Sequence, residues 1–194
     1  MTKQFTRVEP TVVQVFGDAY PWTAVVKHFQ TQDGAQHQFT TVYAEGYQGV
    51  CVIALTPDNR VVTAYQFRAG PERWMYELPG GELHQAEDPA AGALRELEEE
   101  TGYRSDHLTL LGKTSRSAYN NATWFCYLAR DCYQVPTGAH ADAEEAAQGL
   151  EVRIITIEQL LQYAKTDRMS DPVAVLFAYD TLQTLIQTPK EAQP

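Results

Sequence analysis

The stretch DPAAGALRELEEETG, residues 88–102, carries signals for both of its ends and constrains the fold more than any other part of the chain. Asp88 is a good N-cap. Pro89 suits the first helical position, where its missing N–H would have no intrahelical partner anyway, and Gly102 stands where a left-handed C′ glycine belongs. The spacing predicts a helix over 89–101. The helix is approached from WMYEL (74–78), which reads as a strand, through PGGE, a loop that cannot be helical.

The rest of the chain supplies layers for that unit. VVQVF, TAVVKHF and HQFTTVYA read as strands, with a QDG turn at 32–34. GVCVIAL and VVTAYQF form a second pair, joined by TPDNR, whose Pro, Asp and Asn favour a turn. HLTLLG, TWFCYLA and LEVRIIT are further strands. IEQLLQYAKT and DPVAVLFAYDTLQTLIQ read as helices, the second with Asp171 and Pro172 repeating the cap-plus-proline start. Strands and helices in this order predict an α/β or α+β layered domain over 47–194, with residues 1–46 as an antiparallel β appendage.

Composition narrows the partners. A formal net charge of −10 argues against nucleic acid, whose phosphates require clustered Lys and Arg. An acidic protein that binds a phosphate compound needs a cation to hold it. Cys51, Cys126 and Cys132 show no C-x-x-C spacing, and the first two lie in apolar strand-like runs, so free buried thiols in a reducing compartment are expected. MTKQFTRVEPT lacks the apolar stretch of a signal peptide, and no run approaches the length of a membrane span; a cytoplasmic location is expected.

Glutamates fill four of the five positions from 96 to 100. The carboxyl end of a helix carries partial negative charge, so acids there cost stability, and Glu96 and Glu100 repel at i,i+4. Glu96, Glu99 and Glu100 project from one face, whereas Glu98 is turned about a hundred degrees away from Glu99. Arg95 is placed to hold Glu99. Either this is a solvated acidic face, or the carboxylates hold Mg²⁺, which takes hard oxygen ligands and leaves positions for water and substrate phosphate. The glycines of LPGGE allow the backbone to approach a ligand closely.

From Gly81 to Tyr103 the chain resembles the Nudix box, G-x5-E-x7-R-E-U-x-E-E-x-G-U, where U is bulky and apolar. Gly81, Glu87, Arg95, Glu96, Leu97, Glu99, Glu100, Gly102 and Tyr103 fill every defined position. The resemblance implies a Nudix-type α/β/α sandwich with a mixed sheet, and hydrolysis of a nucleoside diphosphate linked to another group. It also implies divalent cations, Mg²⁺ or Mn²⁺, bound by Glu96, Glu100 and the Gly80 carbonyl, with Glu99 as a ligand or water-orienting base. Glu87 and Arg95 would brace the loop and helix.

Outside the box, YQFRAG…WMYELPGGEL is similar to the ADP-ribose and nucleotide-sugar pyrophosphatase branch. In that branch the N-terminal β region mediates a homodimer. The likeness makes Arg68 and Glu77 candidate substrate-binding residues and ADP-ribose or another nucleotide sugar the expected substrate. Trp22, Tyr20 and Phe29 are candidates for base stacking, although such residues are more often core or dimer contacts. Two departures bear on the substrate. SRSAYNNATW lacks the proline usual for the branch and has Tyr119 there, a placement similar to that of diadenosine-polyphosphate hydrolases; a dinucleoside polyphosphate or nucleoside triphosphate is the alternative substrate. The acidic loop that supplies a catalytic glutamate in the branch aligns only approximately, with Glu144 or Glu145 as the candidate base. A non-catalytic Nudix-like ligand sensor is a third reading; it has no need of the intact acids found here.

Overall fold

The computed structural model describes residues 4–17, 22–140, 147 and 149–187. These fall in two compact units, one formed by residues up to Gln48 together with Ser115–Thr123, the other by Gly49–Thr114 and the chain from Trp124 onward. The segment that carries Tyr119 therefore groups with the N-terminal strands, a partition that residues 115–123 alone give no sign of.

The smaller unit is an antiparallel meander of β1 (Phe5–Phe16), β2 (Trp22–Thr31) and β3 (Gln36–Val42). β1 begins seven residues before the VVQVF run, and its pairing with β2 shifts register between Val8 and Val12, where Pro10 cannot donate to the ladder. The expected turn links β2 to β3: Asp33 accepts from the Thr31 hydroxyl at 2.5 Å, and Gly34 takes a φ of 84°. Segment 115–123 joins β3 through Val42 N–H to the Tyr119 carbonyl at 2.8 Å and Asn121 N–H to the Val42 carbonyl at 2.9 Å. The Asn121 side chain accepts from Lys27 Nζ at 2.6 Å and donates to Thr41 Oγ1 at 2.9 Å. Phe29 stands in edge contact with Phe5 and Phe39, an aromatic cluster of this unit. Tyr20 lies outside the described residues.

The larger unit contains β4 (Gln48–Leu55), β5 (Val61–Arg68), β6 (Arg73–Glu77), α1 (Pro89–Thr101), β7 (Tyr103–Arg104), β8 (His107–Thr114), β9 (Thr123–Arg130), β10 (Tyr133–Gln134), β11 (Glu151–Ile155), α2 (Ile157–Lys165), α3 (Pro172–Phe177) and α4 (Tyr179–Gln187). Among the described residues it holds a six-stranded sheet in the order β11–β5–β4–β9–β8, with β6 also paired to β5. The sheet is mixed and flanked by helices.

β4 explains why the sheet needs cover on both faces. Successive side chains of a strand point to opposite faces, and here neither set is polar. Cys51, Ile53 and Leu55 enter one core with Leu160 and Leu161 of α2, Val175 of α3 and Leu182 of α4. Val50, Val52 and Ala54 enter another with Ala93 and Leu97 of α1, Phe125 and Tyr127. The result is the expected α/β/α sandwich. All three cysteines are buried, and the Cys51 and Cys126 sulfurs lie 3.4 Å apart as thiols rather than a disulfide.

α1 has the predicted bounds. The Asp88 carboxylate accepts from Ala90 N–H and Ala91 N–H at 3.0 and 3.1 Å, and Gly102, at φ 71°, returns its N–H to the Glu98 carbonyl. Two details of the C-terminal helices differ from expectation. The run after Pro172 divides at Ala178, whose ψ of 0° separates α3 from α4. Asp171 occupies the N-cap position of α3, but its side chain makes no capping bond.

Candidate active site

Sequence places Glu96 and Glu100 one helical turn apart, and the fold gives them a common target. β6 ends at Glu77, and the turn from Leu78 to Gly81 runs back past the C-terminal half of α1. Glu100 Oε2 accepts from Gly80 N–H at 3.1 Å. The Glu96 carboxylate fills the space beside Gly81 so closely that a Cβ there would lie 2.8 Å from Oε1. Both residues are buried, at 7% and 4% exposure. Carboxylates this shielded from water require compensating charge or hydrogen bonds, and Glu96 has part of it from Arg95 at 2.9 Å.

β4 holds the other side of the turn. Val52 N–H donates to the Pro79 carbonyl and Val50 N–H to the Gly81 carbonyl, each at 2.9 Å. A Cβ at Gly80 would stand 2.1 Å from the Val50 oxygen and 2.7 Å from Cys51 Cα. Only glycine fits between this strand and the helix.

Arg95 organises the remaining box acids. Its Nε and Nη2 donate to the two Glu87 oxygens at 2.9 and 3.0 Å, and Nη1 reaches Glu99 Oε2 at 2.8 Å and Glu96 Oε1 at 2.9 Å. Glu87 also accepts from His84 N–H, and the Arg95 guanidinium holds its carboxyl at a pKa of about 2. The Arg95 pKa is raised in turn, chiefly by Glu87. Glu99 is thus held by Arg95, with its side chain 46% exposed. Glu98 pairs with Arg104 on the other side of the helix.

Arg68, opposite Arg73 at the end of β5, and Glu77, opposite Ala64 at the end of β6, form a forked pair through their side chains: Arg68 Nε donates to Glu77 Oε1 at 2.5 Å and Nη2 to Oε2. Glu77 is buried and also accepts from Gln66 Nε2 at 3.3 Å. The Arg68 pKa is raised by Glu77 first, then by the charges of Glu100 and Asp171. The fold thereby brings Arg68 and Glu77 into the electrostatic neighbourhood of the box acids. Tyr119 belongs to the smaller unit and is 63% exposed. Glu144 and Glu145 lie outside the described residues. The chain leading toward them is secured to α1, since His140 N–H donates to the Glu99 carbonyl at 2.6 Å and Val135 N–H to that of Gly102 at 2.8 Å.

Among the described residues no three His, Cys, Asp or Glu side chains converge tightly enough to hold a metal by themselves. The donor set still fits a hard cation of the Mg²⁺ type, which takes one or two carboxylates and fills its other positions with water and substrate phosphate. Glu96 and Glu100, buried against one glycine turn, are such a pair.

A sequence model of the NUDIX domain matches residues 45–176. The chain belongs to the Nudix family. As a Nudix protein it is a hydrolase acting on pyrophosphate bonds. It is 34% identical over 128 residues to the methanol dehydrogenase activator of Bacillus methanolicus, covering 66% of this chain and 68% of that one. It is 31% identical over 143 residues to the ADP-ribose pyrophosphatase of Bacillus subtilis (strain 168), covering 73% of this chain and 76% of the other. The crystal structure of an ADP compounds hydrolase shares the fold with a TM-score of 0.73 over 95% of this chain and 97% of that one, at 17% identity.

Sequence reasoning missed two buried groups that bond to Glu77 and to Leu78 N–H. Gln66 gave no signal within its strand. Asp171 gave a misleading one, because Asp before Pro reads as a helix cap.

Proposed function

We propose that this Nudix hydrolase cleaves the diphosphate linkage of ADP-ribose or another nucleotide sugar with the help of Mg²⁺ or Mn²⁺. The observation that carries this reading is the convergence of Glu96 and Glu100 on the Gly80–Gly81 turn, in a chain related to an ADP-ribose pyrophosphatase. Glu96, Glu100 and the Gly80 carbonyl would hold the cation, with Glu99 as a further ligand or as the group that orients water. Such a cation neutralises the diphosphate and makes water a better nucleophile.

The chain's own residues do the positioning. Arg95 clamps Glu87 and Glu99, fixing the loop to the helix. Arg68, held by Glu77, is the proposed cationic contact for substrate phosphate or ribose, and Tyr119 a proposed substrate-binding residue that tunes substrate choice. Glu144 or Glu145 is the proposed base. A homodimer through residues 1–46 completes the proposal, with 47–194 as the catalytic domain.

A panel of ADP-ribose, other nucleotide sugars, dinucleoside polyphosphates and nucleoside triphosphates, assayed with Mg²⁺, Mn²⁺ or excess chelator, tests this reading. Preferential release of AMP and ribose 5-phosphate from ADP-ribose, abolished by chelator, is the expected result. Preference for triphosphates or dinucleoside polyphosphates, or unchanged turnover in chelator, would overturn it.

A further inference from the structure

Among the described residues four hydrogen bonds anchor the turn that presents Gly80, three of them from elements already assigned to the site. β4 supplies Val52 N–H to the Pro79 carbonyl and Val50 N–H to the Gly81 carbonyl, and α1 supplies Glu100 to Gly80 N–H. The fourth is Asp171, whose Oδ2 accepts from Leu78 N–H at 3.3 Å. Asp171 is 93 positions away in the chain, only 6% exposed, and stands at the start of a helix that its side chain does not cap. Its carboxylate turns instead toward β6, and Ser170 Oγ donates to the same Oδ2 at 2.7 Å.

The backbone around Asp171 aims it there. Tyr76 N–H donates to the Arg168 carbonyl at 3.0 Å, and Ser170 N–H donates to the Tyr76 carbonyl at 3.1 Å, so residues 168–170 run beside the end of β6 as a short parallel bridge through Met169. Met169 is itself 2% exposed. The Asp171 carboxylate is delivered by this bridge rather than by α3. A buried aspartate that forgoes its cap costs stability unless its charge is compensated nearby. The Asp171 charge is among those that raise the Arg68 pKa, after Glu77 and Glu100.

We propose that Asp171 is a positioning residue for pyrophosphate hydrolysis: it fixes Leu78 N–H, and with it the Leu78–Gly81 turn that sets Gly80 against Glu100 and Gly81 against Glu96. Asp171 itself touches no reacting atom. This inference rests on the proposed role of the Gly80 turn. It predicts that the acceptor oxygen, more than the negative charge, is what the turn requires.

The test compares wild type with Asp171→Asn, Asp171→Glu and Asp171→Ala in the full chain. kcat and KM for ADP-ribose are measured with Mg²⁺, and amide hydrogen exchange at Leu78 and Gly80 without substrate or metal. Asp171→Asn keeps an acceptor in place and should retain kcat within about threefold. Asp171→Glu keeps the charge but displaces the oxygen, so kcat should fall at least about tenfold while KM changes little, as a misplacement of around 1 Å can cost a hundredfold. Leu78 and Gly80 should exchange faster in Asp171→Glu and Asp171→Ala but not in Asp171→Asn. An active Asp171→Glu beside an inactive Asp171→Asn, or exchange at Leu78 and Gly80 unchanged in all three variants, overturns the proposal. Failure of the wild type to cleave any nucleotide sugar would overturn the substrate reading alone, because the exchange comparison decides the role of Asp171 without turnover.

Discussion

Arg95 serves three carboxylates at once, and the three do not do the same work. Glu87 receives the fork of the guanidinium, which keeps its pKa at about 2 against an ordinary value of 4.5. A carboxyl whose pKa is depressed on folding contributes stability that is fully present above 4.5 and is lost as pH falls toward 2. Glu87→Gln should therefore lower the urea midpoint at neutral pH and flatten its acid dependence between those values; an unchanged acid limb would show that Glu87 does not carry it. Glu100 differs from Glu87: it is buried, its carboxylate accepts from Gly80 N–H, and its charge is among those that raise the Arg68 pKa. Glu100→Gln should reduce kcat on the order of a hundredfold, about 2.7 kcal/mol of barrier, while the metal-free protein melts at the same temperature or slightly higher through relieved repulsion. Turnover near the wild-type level, measured beside a thermal melt, would remove Glu100 from the metal site. That the acids share a face was legible from their spacing. That Glu99 is claimed by Arg95 was legible only as one of its options.

The turn between β6 and α1 shows how elements constrain one another. Gly80 and Gly81 read in the sequence as residues that let a backbone come close to a ligand. In the fold they also let two elements of the protein come close to each other, because β4 crowds Gly80 from one side and Glu96 occupies the Cβ space of Gly81 on the other. Gly80→Ala would drive a methyl into the Val50 oxygen and Cys51 Cα, backbone atoms of a strand buried from Gly49 onward that cannot yield as a side chain would. Overpacking of this kind costs about 1–3 kcal/mol. Gly80→Ala should lower the denaturation midpoint accordingly and remove most activity; a variant that is fully stable and fully active would show that the turn has room to spare. The helix bounds were legible because caps act over three or four residues. The β4 contacts were not, since nothing near Gly80 in the chain names its neighbour across the sheet.

At the scale of the whole molecule, the N-terminal unit poses the question of what covers it. Val12, Val13, Val15 and Phe16 of β1 are 42–62% exposed, and β1 is the outer strand of its meander. Exposed apolar strand edges invite pairing with another chain. A homodimer through residues 1–46 should appear as twice the chain mass of 21.8 kDa in light scattering at micromolar concentration. Deletion of the segment should abolish the dimer and weaken substrate affinity. A monomeric mass for the intact protein would exclude this arrangement.

The sequence by itself determined what depends on near neighbours: α1 between Asp88 and Gly102, the face shared by Glu96, Glu99 and Glu100, and the two-sided burial of the apolar run in β4. Each follows from a spacing of a few residues or from strand alternation, which the chain displays directly. Only the tertiary structure decided how those pieces meet. The Glu100 to Gly80 contact spans 20 positions and the Asp171 to Leu78 contact 93, so neither has a local signature. Asp171 shows the reason most clearly. The local rule offered it a helix end to cap, but a buried N–H just past β6 lay within reach once the chain had folded, and the carboxylate turned to it.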